Sequence, residues 1–244
     1  MSYDPYQTHV QTRAAAGSDI DVGLQSFMRS VYNTMAIGLG VTGVVAFGFA
    51  QMMLGNPDLL KMVLGGPLFY VFAFAPLIFI FGGFTASRIA RWPASKLQTM
   101  FYAFSAVMGL SMSTLFVVYS AESIARVFFI TAGTFAAVSL YGYTTKRDLS
   151  GMGSFLFMGV IGLVIASVVN IFLGSAMVQF VVSVIGVLVF TGLAAWQTQA
   201  LKETYAYGRM EDNAKLAVLG ALNLYLSFIN LFQFLLSLMG GQRQ

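Results

Sequence analysis

The chain contains no cysteine, so disulfides, thiolate metal sites and cysteine nucleophiles are excluded. It contains one histidine, His9, in a polar N-terminal stretch. A Ser–His pair inside a membrane therefore has no base, because the base must lie within hydrogen-bond reach of the nucleophile. A lone tail histidine makes no metal site either. Charge is scarce: Asp, Glu, Lys and Arg make up 9% of the 244 residues, against about 25% in an ordinary soluble domain. No G-x-S-x-G elbow, Walker loop or H-E-x-x-H helix occurs. The last apolar stretch has no lysine at its core for a retinal Schiff base; Lys215 lies at its edge. The expectation is a protein that is not an enzyme, with no metal, no cofactor and no nucleic-acid partner.

What is present is apolar. Hydrophobic residues make up 58% of the chain, more than a soluble domain of this size could bury. Lipid accepts such a surface, so the bilayer is the first expected partner. A hydrocarbon core of about 30 Å needs about 20 apolar residues per helix. Seven stretches meet that requirement: Val31–Leu54, Gly66–Thr85, Leu97–Tyr119, Ile124–Tyr143, Met152–Leu173, Ala176–Ala200 and Leu216–Met239. They are continuous rather than alternating, which favours helices over a membrane barrel. The expected fold is an all-α membrane bundle of seven helices over residues 31–240. A polar cytoplasmic tail at 1–30 precedes it and a short tail at 241–244 follows.

The connections are short, so consecutive helices should be antiparallel neighbours. Cytoplasmic loops are enriched in Lys and Arg. An inside N-terminus puts Arg13, Arg29, Arg88, Arg91, Lys96, Lys146, Arg147, Lys202, Arg209 and Lys215 on the inner face, leaving Lys61, Arg126 and Arg243 outside. Gly83/Ser87 and Gly109/Ser113 are small-residue pairs of the kind that lets helices approach closely. The helix centres hold almost no ionisable residues. Their polar residues are amides and hydroxyls: Asn33, Asn170, Gln179, Gln197, Gln199, Asn223, Ser227, Asn230 and Gln233. Asn223, Ser227 and Asn230 fall at i, i+4 and i+7 on one helix face, and that face is expected to point into the bundle.

Four segments carry a family resemblance. Gly220–Phe234, GALNLYLSFINLFQF, resembles the last helix of the Bax inhibitor-1 (transmembrane Bax inhibitor motif) family, and Trp196-Gln197-Thr198-Gln199 resembles the end of its sixth. Arg29-Ser30-Val31-Tyr32-Asn33 and Tyr141-Gly142-Tyr143-Thr144-Thr145-Lys146 are similar to the bacterial branch. The resemblance runs from about Arg29 to Gly240.

It implies six helices around a central seventh, a bacterial inner-membrane location, and a pH-responsive leak of calcium or other cations. The family's proposed gate is a pair of aspartates that titrate together, as close carboxylates must. Here the matching positions hold Gln197, before Thr198-Gln199, and Ser227, after Asn223-Leu224-Tyr225-Leu226. Neither titrates in the physiological range, but an amide and a hydroxyl can still hydrogen-bond. Gln197 and Ser227 are thus the expected gate positions, supported by Asn223, Asn230 and Gln199. The alternative is a non-transporting regulator that binds other membrane proteins, such as a quality-control protease assembly.

Overall fold

The computed structural model describes the backbone of residues 5–206 and 213–241, and the side chains of 22–205 and 213–241. The His9 side chain with those of the rest of the polar tail through residue 21, the loop residue Arg209 and residues 242–244 lie outside those ranges. The described residues form helices only: α1 (Pro5–Gly55), α2 (Pro57–Leu64), α3 (Leu68–Gly83), α4 (Ala86–Arg91), α5 (Ala94–Val118), α6 (Ala121–Thr144), α7 (Ser150–Leu173), α8 (Ala176–Ala206) and α9 (Asn213–Met239). Six are long and apolar enough to span a bilayer. α2 and α3, bent by 61° and taken as one span, bring the number to seven.

The expected helix from Gly66 to Thr85 is α3, two residues shorter at each end, and the short helix α2 occupies the stretch read as a connection before it. Asn56 caps α2 through its side-chain oxygen, which accepts from the Asp58 and Leu59 amides, and Pro57 follows at the first helical position. Gly65-Gly66-Pro67 then breaks the run. Pro67 cannot donate to a continuing ladder, so the chain restarts as α3. α3 ends at Gly83 and α4 begins at Ala86. Gly83 and Ser87 therefore lie on different helices, and their four-residue spacing has no packing meaning. Gly109 does what small residues do: a Cβ there would sit 2.7 Å from the Thr42 carbonyl oxygen, at the crossing of α1 and α5.

The bundle also begins earlier than Val31. Leu24, Phe27 and Met28 are buried in the core, and Phe27 stacks on Tyr205 of α8 with ring centroids 4.7 Å apart. The α4–α5 corner carries a cationic–aromatic cluster, with Lys96 Nζ 4.3 Å and Arg88 5.3 Å from the Trp92 ring centre. Aromatic and basic side chains of this kind settle at membrane–water boundaries.

α9 is the axis. It packs against α8, α1, α6 and α5. Its apolar window is 67% buried, while the other spanning helices are between 11% and 33% buried. Tyr225 sits at its centre, fully buried, edge-on to Phe101 at 5.3 Å and Phe104 at 6.0 Å. The Tyr225 hydroxyl lies 2.7 Å from Thr42 Oγ1, which is also 2.9 Å from the Ser105 carbonyl oxygen. Each hydroxyl donates once, so Tyr225 can donate to Thr42 while Thr42 donates to Ser105. One polar knot thereby joins α1, α5 and α9.

Candidate functional site at the α8–α9 contact

α8 continues to Ala206, so Gln197 stands nine residues before its end, about 14 Å along the axis. Ser227 stands 14 residues into α9, about 21 Å from its start. The two helices run antiparallel, and these depths bring the side chains together. Ser227 Oγ donates to Gln197 Oε1 at 2.9 Å. Ser227 is 2% exposed, whereas Gln197 is half-buried. One partner is sealed in the bundle and the other reaches its surface.

The three polar residues of the α9 face do not share one environment. Asn223 is exposed and Asn230 half-buried; Asn230 Nδ2 donates to the Leu226 carbonyl of its own helix at 2.8 Å. Only Ser227 reaches a neighbouring helix. The expected inward face is therefore corrected. At about 100° per residue, Asn223 and Asn230 lie roughly 40° and 60° to the same side of Ser227, just past the edge of the α8 contact.

That edge is polar along its length. Between Leu216 and Leu236, the exposed residues of α9 are Asn223 and Gln233, both amides. Asn230 and Ser237 fall in the same stripe, about 80° wide and, from Asn223 to Ser237, about 21 Å long. Ser237 Oγ is 3.1 Å from Ser183 Oγ and accepts from Gln179 Nε2 at 3.3 Å. Gln179 Oε1 in turn accepts from Asn170 Nδ2 at 3.4 Å. This chain ties α7, α8 and α9 at the end opposite Gln197. Ser183 and Ser237 carried no signal in the sequence beyond four-residue helical spacing to other polar groups.

Gln199 belongs elsewhere. Two residues from Gln197 is 200° around a helix, so the side chains point apart. Its Oε1 accepts from the Leu149 amide and its Nε2 donates to the Arg147 carbonyl, both at 2.8 Å. Gln199 latches the α6–α7 loop onto α8 and is no part of the α9 edge. Among the described residues no group of three His, Cys, Asp or Glu side chains could hold a metal ion.

Comparison with known proteins matches the family model described as "Inhibitor of apoptosis-promoting Bax1" over residues 24–244. A Caulobacter vibrioides protein is 46% identical over 239 residues, covering 94% of each chain. A Rickettsia prowazekii protein is 40% identical, covering 97% of this chain and 98% of its own. The inner membrane protein YbhL of Escherichia coli is 42% identical over 227 residues, covering 91% of this chain and 94% of its own. With a family match over residues 24–244 and relatives of this identity along nearly their whole length, the chain belongs to the Bax inhibitor family of membrane proteins.

Proposed function

We propose that the protein is a cation leak of the bacterial inner membrane, calcium among its ions, whose path follows the amide edge of α9. The observation that carries this reading is the exposure of Asn223 and Gln233 on the most buried helix of the bundle. Polar groups at membrane depth face water or protein rather than lipid, because an unsatisfied one costs several kcal/mol. Amide oxygens are accepted ligands for hard cations such as calcium. A row of neutral ligands binds weakly, as a path that must release its ion requires.

In this reading Gln197 and Ser227 occupy the place of the family's aspartate pair and close the α8–α9 contact without titrating. Conduction then needs their bond to break, not a proton to leave. The location rests on the inner-membrane relative and the orientation on the ten-to-three basic asymmetry. Lys146→Cys, introduced into this cysteine-free chain, should resist an impermeant thiol reagent outside intact cells; labelling there would reverse the topology.

Calcium uptake by proteoliposomes tests the function. Flux should exceed that of protein-free vesicles and fall when Asn223→Leu and Gln233→Leu are combined. Flux at the protein-free level, with other membrane proteins copurifying, would favour the regulator instead.

A further inference from the structure

The ring of helices around α9 is open on one side. α1 packs on α5 and α9, and α6 packs on α8 and α9, but α1 and α6 scarcely touch. A groove in two parts runs between them. The first, about 670 Å³, includes Arg29, Tyr32, Ser139 and Tyr143 in its lining. The second, about 680 Å³, is lined mainly by apolar residues such as Phe47, Phe129 and Phe232. Ala36, Leu39 and Phe228 border both. From Gln25 to Phe47, α1 rises about 33 Å, so the groove crosses the apolar thickness of a bilayer.

Its Arg29 end differs in chemistry from the rest. Arg29 is exposed at the rim and has no acidic partner among the described residues. Lys202 adds a second cation nearby, its Nζ 5.2 Å from the centre of the Tyr143 ring. Ser139, only 3% exposed, has no hydrogen-bond partner for its hydroxyl. Other buried hydroxyls in the bundle turn back to a carbonyl four residues earlier, as Thr131 does to Val127 and Thr198 to Ala194. Ser139 does not, and an unpaired buried hydroxyl is costly.

We propose that this groove holds one anionic phospholipid from the leaflet at the Arg29 end. The phosphate sits against Arg29, the Ser139 hydroxyl donates to an ester carbonyl, and an acyl chain lies over Phe228 towards Phe232. The anionic head answers the charge at the rim, and the ester answers the unpaired hydroxyl. Neither need is met by a hydrocarbon chain alone.

Native mass spectrometry of the protein from nanodiscs of phosphatidylcholine mixed with phosphatidylglycerol tests this. One phosphatidylglycerol should stay bound in preference to phosphatidylcholine. Arg29→Gln should cut that preference about fivefold, the weight of one basic side chain at an anionic membrane surface. Ala136→Phe, which fills the groove, should reduce retention of both lipids. Should that variant fail to fold, Arg29→Gln at the exposed rim still decides. Equal retention of the two lipids, an undiminished preference in Arg29→Gln, or a second copy of the chain bound in place of lipid would each overturn the proposal.

Discussion

α7 and α9 are both spanning helices, and they are built on opposite rules. α7 is the more apolar, yet its window is only 11% buried. α9 is less apolar and is 67% buried. In a soluble domain the greasier helix would be the inner one. In a bilayer, lipid is as apolar as leucine, so hydrophobicity does not drive a helix inward. What draws α9 to the axis is close packing and polar pairing: Gly220, Tyr225 and Ser227 meet neighbours, while Phe172 of α7, 86% exposed, faces outward.

The comparison is most easily broken by paired truncations. Tyr225→Ala should destabilise by about 3 kcal/mol, the lower end for removing a buried aromatic ring. Phe172→Ala should change stability by less than about 0.5 kcal/mol. Thermal unfolding in one detergent measures both, and equal losses would mean that burial in the bundle is not what separates the helices.

Glycines give the next largest contrast. A Cβ at Gly220 would lie 2.5 Å from a Leu201 methyl, whereas one at Gly162 of α7 would meet nothing within 4 Å. Gly220→Val should cost about 1–3 kcal/mol by overpacking, and Gly162→Val close to nothing. The hydroxyls come next. Ser227→Ala removes the bond to Gln197 and should cost about 0.6–1.7 kcal/mol, the range for interhelical hydrogen bonds in membranes. Exposed Ser154 of α7 should tolerate alanine without measurable loss.

The smallest effect lies at the start of α7. The Ser150 hydroxyl and amide both donate to Asp148, and these bonds hold its carboxyl below the usual carboxylate range. A lowered folded value favours the charged form. Its contribution is present above the unfolded value and is lost as pH falls through the folded one. Asp148→Asn should therefore lower the neutral melting temperature slightly and leave the acid value nearly unchanged, so that a small part of the acid-induced drop disappears.

The spans were legible because length and continuous apolarity follow directly from bilayer thickness. The Gly-Gly pair before α3 is legible as turn chemistry, but α2, with 8 residues, is too short to register against the length a membrane span needs. The meeting of Gln197 with Ser227 was reachable only through the family resemblance, since no spacing rule links residues thirty apart. The orientation of Asn223 and Asn230 was misread for a physical reason. Periodicity says which residues share a face, and it does not say where the neighbouring helix ends. Gln199 falls outside the α9 edge for a reason legible in the sequence, because residues two apart on a helix point to opposite sides. Thr42 gave no signal at all, since a threonine that answers a tyrosine 183 positions away looks like any other helical threonine.

In the proposed leak, the Gln197–Ser227 bond holds α8 against α9 without a titrating group. Calcium flux through proteoliposomes at about pH 6 and pH 8, where an ordinary histidine or a coupled carboxyl pair would change charge, tests it most directly. The parent protein should conduct equally at both values. The double variant Gln197→Asp with Ser227→Asp should become pH-dependent, because two close buried carboxylates cannot both ionise cheaply and one must titrate far above its usual range. A parent whose flux changes steeply between the two values, or a double variant as flat as the parent, would contradict the claim.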